Sequence, residues 1–317
     1  MDVAILGCGY VGLELGRQLT ERGHSVVGVR RSDAGLDAIR DAGFDAVRAD
    51  VTDADSLDAV PDADAVVFAA SSGGRDAAAA REVYVEGLRS AVDHFAARES
   101  PPERLVYTSS TGVYGDHGGD WVDEETPLDP ATEKAAVLAE AERVALEDAP
   151  ERGIDGTVAR FAGLYGPGRT RLERYLAGPV TEGYLNMVHR DDAAGAIRFL
   201  LDEDLARGTT AGGEVVLVVD DEPVSKHAFA DWLADQCGVE HPPKQTVAER
   251  LEDAADADAA SDSDSDSDSA SERVTRRLLT SKRCSNDKLR DLGYEFAYPT
   301  FREGYRSAIE AYLGERD

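Results

Sequence analysis

Two features predict an α/β protein built on a doubly wound parallel sheet with a smaller C-terminal lobe. Short apolar strands alternate with amphipathic helices through the first half of the 317-residue chain, the pattern of consecutive parallel βαβ units. The first strand runs straight into a glycine fingerprint that opens a helix, DVAILGCGYVG from Asp2 to Gly12. After about residue 165 the regular alternation is lost, which predicts the second lobe.

Val3-Ala4-Ile5-Leu6 makes the first strand, 2–6. Gly7, Gly9 and Gly12 follow in G-x-G-x-x-G spacing, and the helix over 10–22 carries Val11, Leu15 and Leu19 on one face. The glycines allow a tight turn and let backbone N–H groups approach a pyrophosphate; the helix start near Tyr10 adds its positive end. The fingerprint alone also fits a tight β-α turn with no ligand. Here a strand precedes it, a helix follows, and the next strand begins at Ser25, the context of a Rossmann-type dinucleotide site.

Further strands are predicted over 25–29, 45–48, 64–69, 103–108 and 155–160, with helices over 33–42, 53–60, 75–98 and 131–149. A helix over 190–204 returns to the sheet. A strand near 213–219, a helix near 224–237 and a terminal helix near 300–313 complete the chain. These bounds give a dinucleotide-binding domain over 1–165 and a segment over 166–317 that is mainly substrate lobe. Residues 249–272, ERLEDAADADAASDSDSDSDSASE, cannot bury apolar surface, and their like charges repel. They are predicted to form a disordered acidic loop within that lobe, because ordered sequence resumes after them. A phosphorylated regulatory tract is the alternative.

The net charge is −29, from 63 acidic and 34 basic residues. Arginine supplies most of the basic side chains; the lysines are Lys134, Lys226, Lys244, Lys282 and Lys288. Such a surface repels nucleic acid and anionic membrane. It fits a halophilic cytoplasm, where the Debye length falls to about 3 Å at molar salt. No run of about 18 apolar residues predicts a membrane span, and no basic n-region predicts a signal peptide. The scattered Cys8, Cys237 and Cys284 suggest neither a disulfide framework nor a metal site and fit a reducing cytoplasm.

The second strand ends in Val29-Arg30-Arg31-Ser32. In dinucleotide folds an acid at this place selects NAD through the ribose hydroxyls, whereas arginine pairs with the 2′-phosphate of NADP. Arg30, Arg31 and Ser32 therefore favour NADP, and two surface arginines are the plainer reading. Asp33, slightly late for the ribose acid, keeps NAD open. Asp50 and Val51 follow the third strand, where a carboxylate can bond the adenine amino group. Ala69, Ala70 and Ser71 end the fourth, where small residues leave room. Open α/β sheets bind ligands at these strand ends.

Four further segments sharpen the reading: VYTSSTGVYG (106–115), RFAGLYGP (160–167), NMVHRDDA (186–193) and SNDKLRDLGY (285–294). With the opening fingerprint, the chain resembles the extended short-chain dehydrogenase/reductase superfamily, the NAD(P)-dependent sugar epimerase/dehydratase group. The resemblance implies that Gly163 and Leu164 contact the nicotinamide end of the cofactor. It also implies a Ser after the fifth strand and a Tyr-x-x-x-Lys pair on the next helix. Ser110 matches the Ser and would hydrogen-bond the reacting oxygen. Anchored on Pro130 and Glu142, the tyrosine place falls on Lys134 and the lysine place on Leu138, and no tyrosine occurs between Asp116 and Gly163. The pattern is similar to the atypical branch of the superfamily.

Lys134 and Tyr114 stand as alternative proton donors, against plainer readings as a solvated helix lysine and a structural tyrosine. His189 could serve as a base, but just before the acidic Asp191-Asp192 helix start it reads as a structural hydrogen-bonder. Arg169, Arg171 and Arg174 suit either a substrate phosphate or surface charge balance, and Asp120 to Thr126 suits either a cleft wall or a solvated loop with Trp121 packed inward. The expected function is an NADP-binding oxidoreductase or nucleotide-sugar epimerase/dehydratase-like enzyme lacking the Tyr-x-x-x-Lys pair. Its substrate would be small and polar or nucleotide-linked, and the protein a monomer or homodimer. The competing reading is a non-catalytic NAD(P)-binding regulatory or assembly protein.

Overall fold

A computed structural model describes residues 1–73, 76–201, 213–259 and 280–315. Seven strands form the central sheet: β1 (Asp2–Leu6), β2 (Ser25–Arg30), β3 (Asp45–Arg48), β4 (Ala65–Phe68), β5 (Arg104–Ser110), β6 (Asp155–Phe161) and β7 (Glu214–Val218). Their spatial order is β7-β6-β5-β4-β1-β2-β3, and every neighbouring pair is parallel. The order reverses between β1 and β4, the switch point where doubly wound sheets open a ligand crevice. The sheet draws on chain from both sides of residue 165, since β7 lies at its edge beside β6.

Alternation along the strands builds two cores. Val3 and Ile5 of β1 face helix α1 (Tyr10–Glu21) and the returning helix Arg190–Leu200, packing with Leu15, Leu19 and Ile197. Ala4 and Leu6 point the other way, into a core with Val85, Leu88, Val137 and Ala141. That second face is covered by a helical stretch over 77–96, with a π-helical turn at Glu82–Glu86, and by another over 133–151. A third core, rich in aromatic rings, unites Tyr165, Leu172, Phe229, Phe301 and Tyr305 from the later segments.

Several expectations change. Residues 54–59 form a 3-10 helix rather than an α-helix. The helix expected over 190–204 is seen as Arg190–Leu200, and residues 202–204 lie outside the described residues. The loop expected over 249–272 is helical in its first part, because the helix Val247–Ala259 runs through it. Thr246 and Glu249 start that helix as a reciprocal cap: the Glu249 amide donates to Thr246 Oγ1 (3.1 Å) and the Thr246 amide to Glu249 Oε2 (2.7 Å). Residues 260–272 lie outside the described residues. Trp121 does not pack inward; it is 56% exposed and lies beneath the Arg283 guanidinium.

Candidate functional site

The C-terminal ends of β1, β2, β4, β5 and β6 open into one cleft of about 840 Å³. Gly7, Gly9, Tyr10, Val11 and Gly12 line it from the fingerprint, Arg30, Arg31 and Ser32 from the end of β2. Asp50 and Val51 line it after β3, Ala69, Ala70 and Ser71 after β4, and Gly163 and Leu164 after β6. Ser110 lies on the same wall, at the end of β5.

The glycines meet separate demands. Gly7 has a φ of +79°, and a Cβ there would fall 2.2 Å from the Ala70 Cα, so β1 and β4 close on each other only over glycine. A Cβ on Gly9 would come within 2.9 Å of the Arg30 guanidinium, so this glycine leaves the floor open beneath that charge. Gly9 is the N-cap of α1 with no side-chain cap, so the helix presents backbone N–H groups and its positive end to the cleft. Cys8 is not chemically poised: burial pushes its thiol up to about 12 despite nearby Arg30.

Beyond the fingerprint the walls become charged. Arg31 pairs with Asp50 at 3.2 Å, and Thr52 donates to Asp50 from both its amide (3.1 Å) and its hydroxyl (2.9 Å). Burial works against this carboxylate, but the Thr52 donors and Arg31 outweigh it and hold Asp50 below the usual aspartate range. The Arg30 guanidinium reaches the Cys8 carbonyl at 3.4 Å. Ser32 accepts a bond from the Gly35 amide (3.3 Å) and thereby caps the next helix. Asp33 is ion-paired with Arg48, which also donates to the Arg31 carbonyl at 2.6 Å. The glycine cradle, the open helix end and the cationic rim together fit a dinucleotide.

The three proton-handling candidates do not share the cleft. Ser110 lines it, its Oγ accepting the Gly112 amide at 3.1 Å. Tyr114 is fully buried away from the cleft lining, and its hydroxyl accepts a bond from Arg160 at 2.6 Å. Burial raises its phenol well above the usual range even beside that arginine. Tyr114 therefore lies beneath the site, outside the cleft lining. Lys134 is half-buried in the first turn of the helix Glu133–Arg143 and does not line the cleft; its Nζ lies 5.8 Å from the ring centre of Tyr84. Leu138, at the expected lysine place, does line it.

The cleft also holds residues that sequence reading did not single out: Tyr84 from the π-helical turn, with Val83, Thr108 and Ser109. Arg169 and Arg171 reach the cleft, whereas Arg174 faces a separate cavity of about 600 Å³. Arg169 also covers the ring of Tyr10 at 5.5 Å. His189 caps the helix Arg190–Leu200 through its Nδ1, which accepts the Asp191 amide at 3.2 Å. Burial depresses its ring's proton affinity, with Asp191 opposing. The His189 ring lies tilted against that of Tyr298, their centres 3.8 Å apart.

Comparison with known proteins fits this geometry. The model of the NAD-dependent epimerase/dehydratase family matches residues 3–207. Protein YeeZ of Escherichia coli (strain K12) is 36% identical over 248 residues, spanning 76% of this chain and 85% of its own length. A solved Methylobacillus flagellatus structure that carries the NAD-dependent epimerase/dehydratase name is 29% identical at a TM-score of 0.74, covering 100% of this chain and 99% of that one. The human epimerase family protein SDR39U1, solved with NADPH, shares the fold at 17% identity and a TM-score of 0.71, covering 98% of this chain and 99% of that one. An α/β sheet of Rossmann order, a dinucleotide cradle at its switch point and a family match over most of the chain define a nucleotide-cofactor protein. The chain belongs to the NAD-dependent epimerase/dehydratase family.

Proposed function

We propose that the protein is an NADP-dependent oxidoreductase or epimerase/dehydratase-like enzyme acting on a small polar or nucleotide-linked carbonyl or alcohol. The observation that carries the cofactor choice is the end of β2. Arg30, Arg31 and Ser32 rim the cleft there, while Asp33, the acid that could have bonded a ribose, is engaged by Arg48. Guanidinium groups match a 2′-phosphate in geometry and charge.

When bound, the nicotinamide supplies two-electron redox chemistry at the carbon of the substrate. Ser110 orients the reacting oxygen at the end of β5. Gly163 and Leu164 hold the nicotinamide end, and Arg169 and Arg171 suit an anionic substrate. In this reading residues 166–317 form mainly the substrate lobe and close the cleft from the far side.

One observation favours a second reading, a non-catalytic NAD(P)-binding protein: the hydrophobic Leu138 stands on the cleft wall where an ammonium would be expected. The test incubates the protein at high salt with NADPH and a panel of nucleotide sugars, aldehydes and quinones, following NADPH absorbance. Turnover that Ser110→Ala abolishes supports the enzyme; tight NADPH binding with no turnover supports the second reading. The double variant Arg30→Ala and Arg31→Ala is expected to erase the preference for NADPH over NADH. A preference that survives removes the phosphate assignment.

A further inference from the structure

A carbonyl reduced in this cleft needs a proton, and neither Tyr114 nor Leu138 can supply or tune one. Tyr84 lines the cleft although only 8% of it is exposed. It belongs to the helical stretch over 77–96, which packs against the stretch carrying Lys134. Its hydroxyl meets the segment that follows β4. Ser72 donates to the Tyr84 oxygen from both its amide (3.4 Å) and its hydroxyl (3.5 Å), long contacts aimed at one atom. The Lys134 ammonium lies 5.8 Å from the ring centre. The neighbouring charges across the same helix pair, Arg81 and Glu140, neutralise each other. Tyr107 of β5 also faces Tyr84; it is buried and stays a neutral phenol.

We propose, resting on the oxidoreductase reading above, that Tyr84 is the proton-carrying residue of this site and that Lys134 is its positioning residue. A tyrosine–lysine pair absent from one helix is thereby assembled across two. The chemistry balances. In the reductive direction the carbonyl carbon gains a hydrogen and two electrons from the reduced nicotinamide. The carbonyl oxygen takes the proton of the Tyr84 O–H bond, and water reprotonates the phenolate; oxidation runs the reverse. Donors around the oxygen and a nearby cation both favour the phenolate in which the donation ends. Burial works against that anion, but the Ser72 and Ser71 donors and Lys134 outweigh it, so Tyr84 titrates below the usual tyrosine range.

The first test needs no turnover. Ultraviolet titration of the full chain at molar salt should show one early tyrosinate step. Tyr84→Phe should remove it, Lys134→Met should move it to higher pH, and Lys134→Arg should restore it. The second arm measures NADPH consumption on the carbonyl panel: Tyr84→Phe should lose at least about 100-fold in turnover while NADPH affinity, read by fluorescence, is retained. An early step that persists in Tyr84→Phe, or ignores Lys134→Met, overturns the proposal, as does undiminished turnover by Tyr84→Phe. If Tyr84→Phe does not fold, NMR of ring-labelled tyrosine in the Lys134 variants reads the same shift. An early step that behaves as expected in a wild-type protein without turnover supports the pair and overturns the enzymatic reading.

Discussion

Among single residues, Asp220 makes the sharpest statement about stability. It follows β7, its amide donates to the Met187 carbonyl at 2.8 Å, and it is 1% exposed. Neither carboxylate oxygen has a hydrogen-bond partner among the described residues. Burial drives its proton affinity far above that of an ordinary aspartate, and the charges of Asp221, Glu222 and Asp192 add to it. The sign follows. The folded state holds the proton more tightly than the unfolded state, so the contribution is complete below the unfolded value of about 4 and is lost as pH rises toward the folded one. Asp220→Asn fixes a neutral group of similar shape. It is expected to melt with the wild type near pH 4 and above it at pH 7 to 8, the gap widening by up to about 1.4 kcal/mol per pH unit. Melts with a pH-independent difference would show that Asp220 does not carry this charge penalty.

At the scale of elements, one buried network ties helix to sheet beneath the cleft. Arg160 on β6 donates to Glu142 through Nε (3.0 Å) and Nη2 (2.6 Å), and Ser109 on β5 donates to the same carboxylate at 2.6 Å. Arg160 then reaches Tyr114, so the tyrosine that sequence suggests as an acid is consumed as a strut. Glu142→Ala would strand a buried guanidinium and is expected to cost about 3–5 kcal/mol in denaturant unfolding. The double change Glu142→Leu and Arg160→Met should recover most of that loss; a double variant as unstable as the single one would show that the network is not primarily an ion pair.

This network also marks where sequence stops being legible. Strands and fingerprint can be read because their signals are local: alternation puts Val3 and Ala4 on opposite faces, and the glycine spacing fits one turn. The residues that the sequence suggests for a cofactor all line the cleft, most of them through such local signals and Gly163 and Leu164 through the family resemblance. Tyr84 could not be read. It stands among Val83, Val85 and Leu88 on an apolar helix face, where a tyrosine looks like core, and its lysine neighbour is distant in sequence. Only the packing of two helices brings them together. The helix Val247–Ala259 escaped for the opposite reason: composition suggested repulsion, but Thr246 and Glu249 cap a segment rich in helix-forming Ala, Leu and Glu.

At the scale of the whole molecule the net charge of −29 decides how the fold responds to salt. Arginines are engaged locally, as in Arg17 with Glu14 and Glu21, or Arg152 with Asp93. Exposed pairs of this kind are worth about 0–1 kcal/mol each, so screening them costs little. The excess carboxylates repel one another in the compact state, and screening that repulsion gains more. The Debye length shrinks from about 10 Å at 0.1 M to about 3 Å at 1 M. Tm is therefore expected to rise by at least about 5 °C between 0.1 and 3 M KCl, most steeply below about 1 M. The shape of the curve separates causes. Exclusion of salt from apolar surface grows through the molar range and is stronger for sulfate than for chloride at equal ionic strength. Charge screening depends on ionic strength and flattens once the Debye length falls below the spacing of surface charges. A Tm that is constant with KCl, or that rises only above about 1 M, would mean that the acidic surface does not limit the stability of this fold.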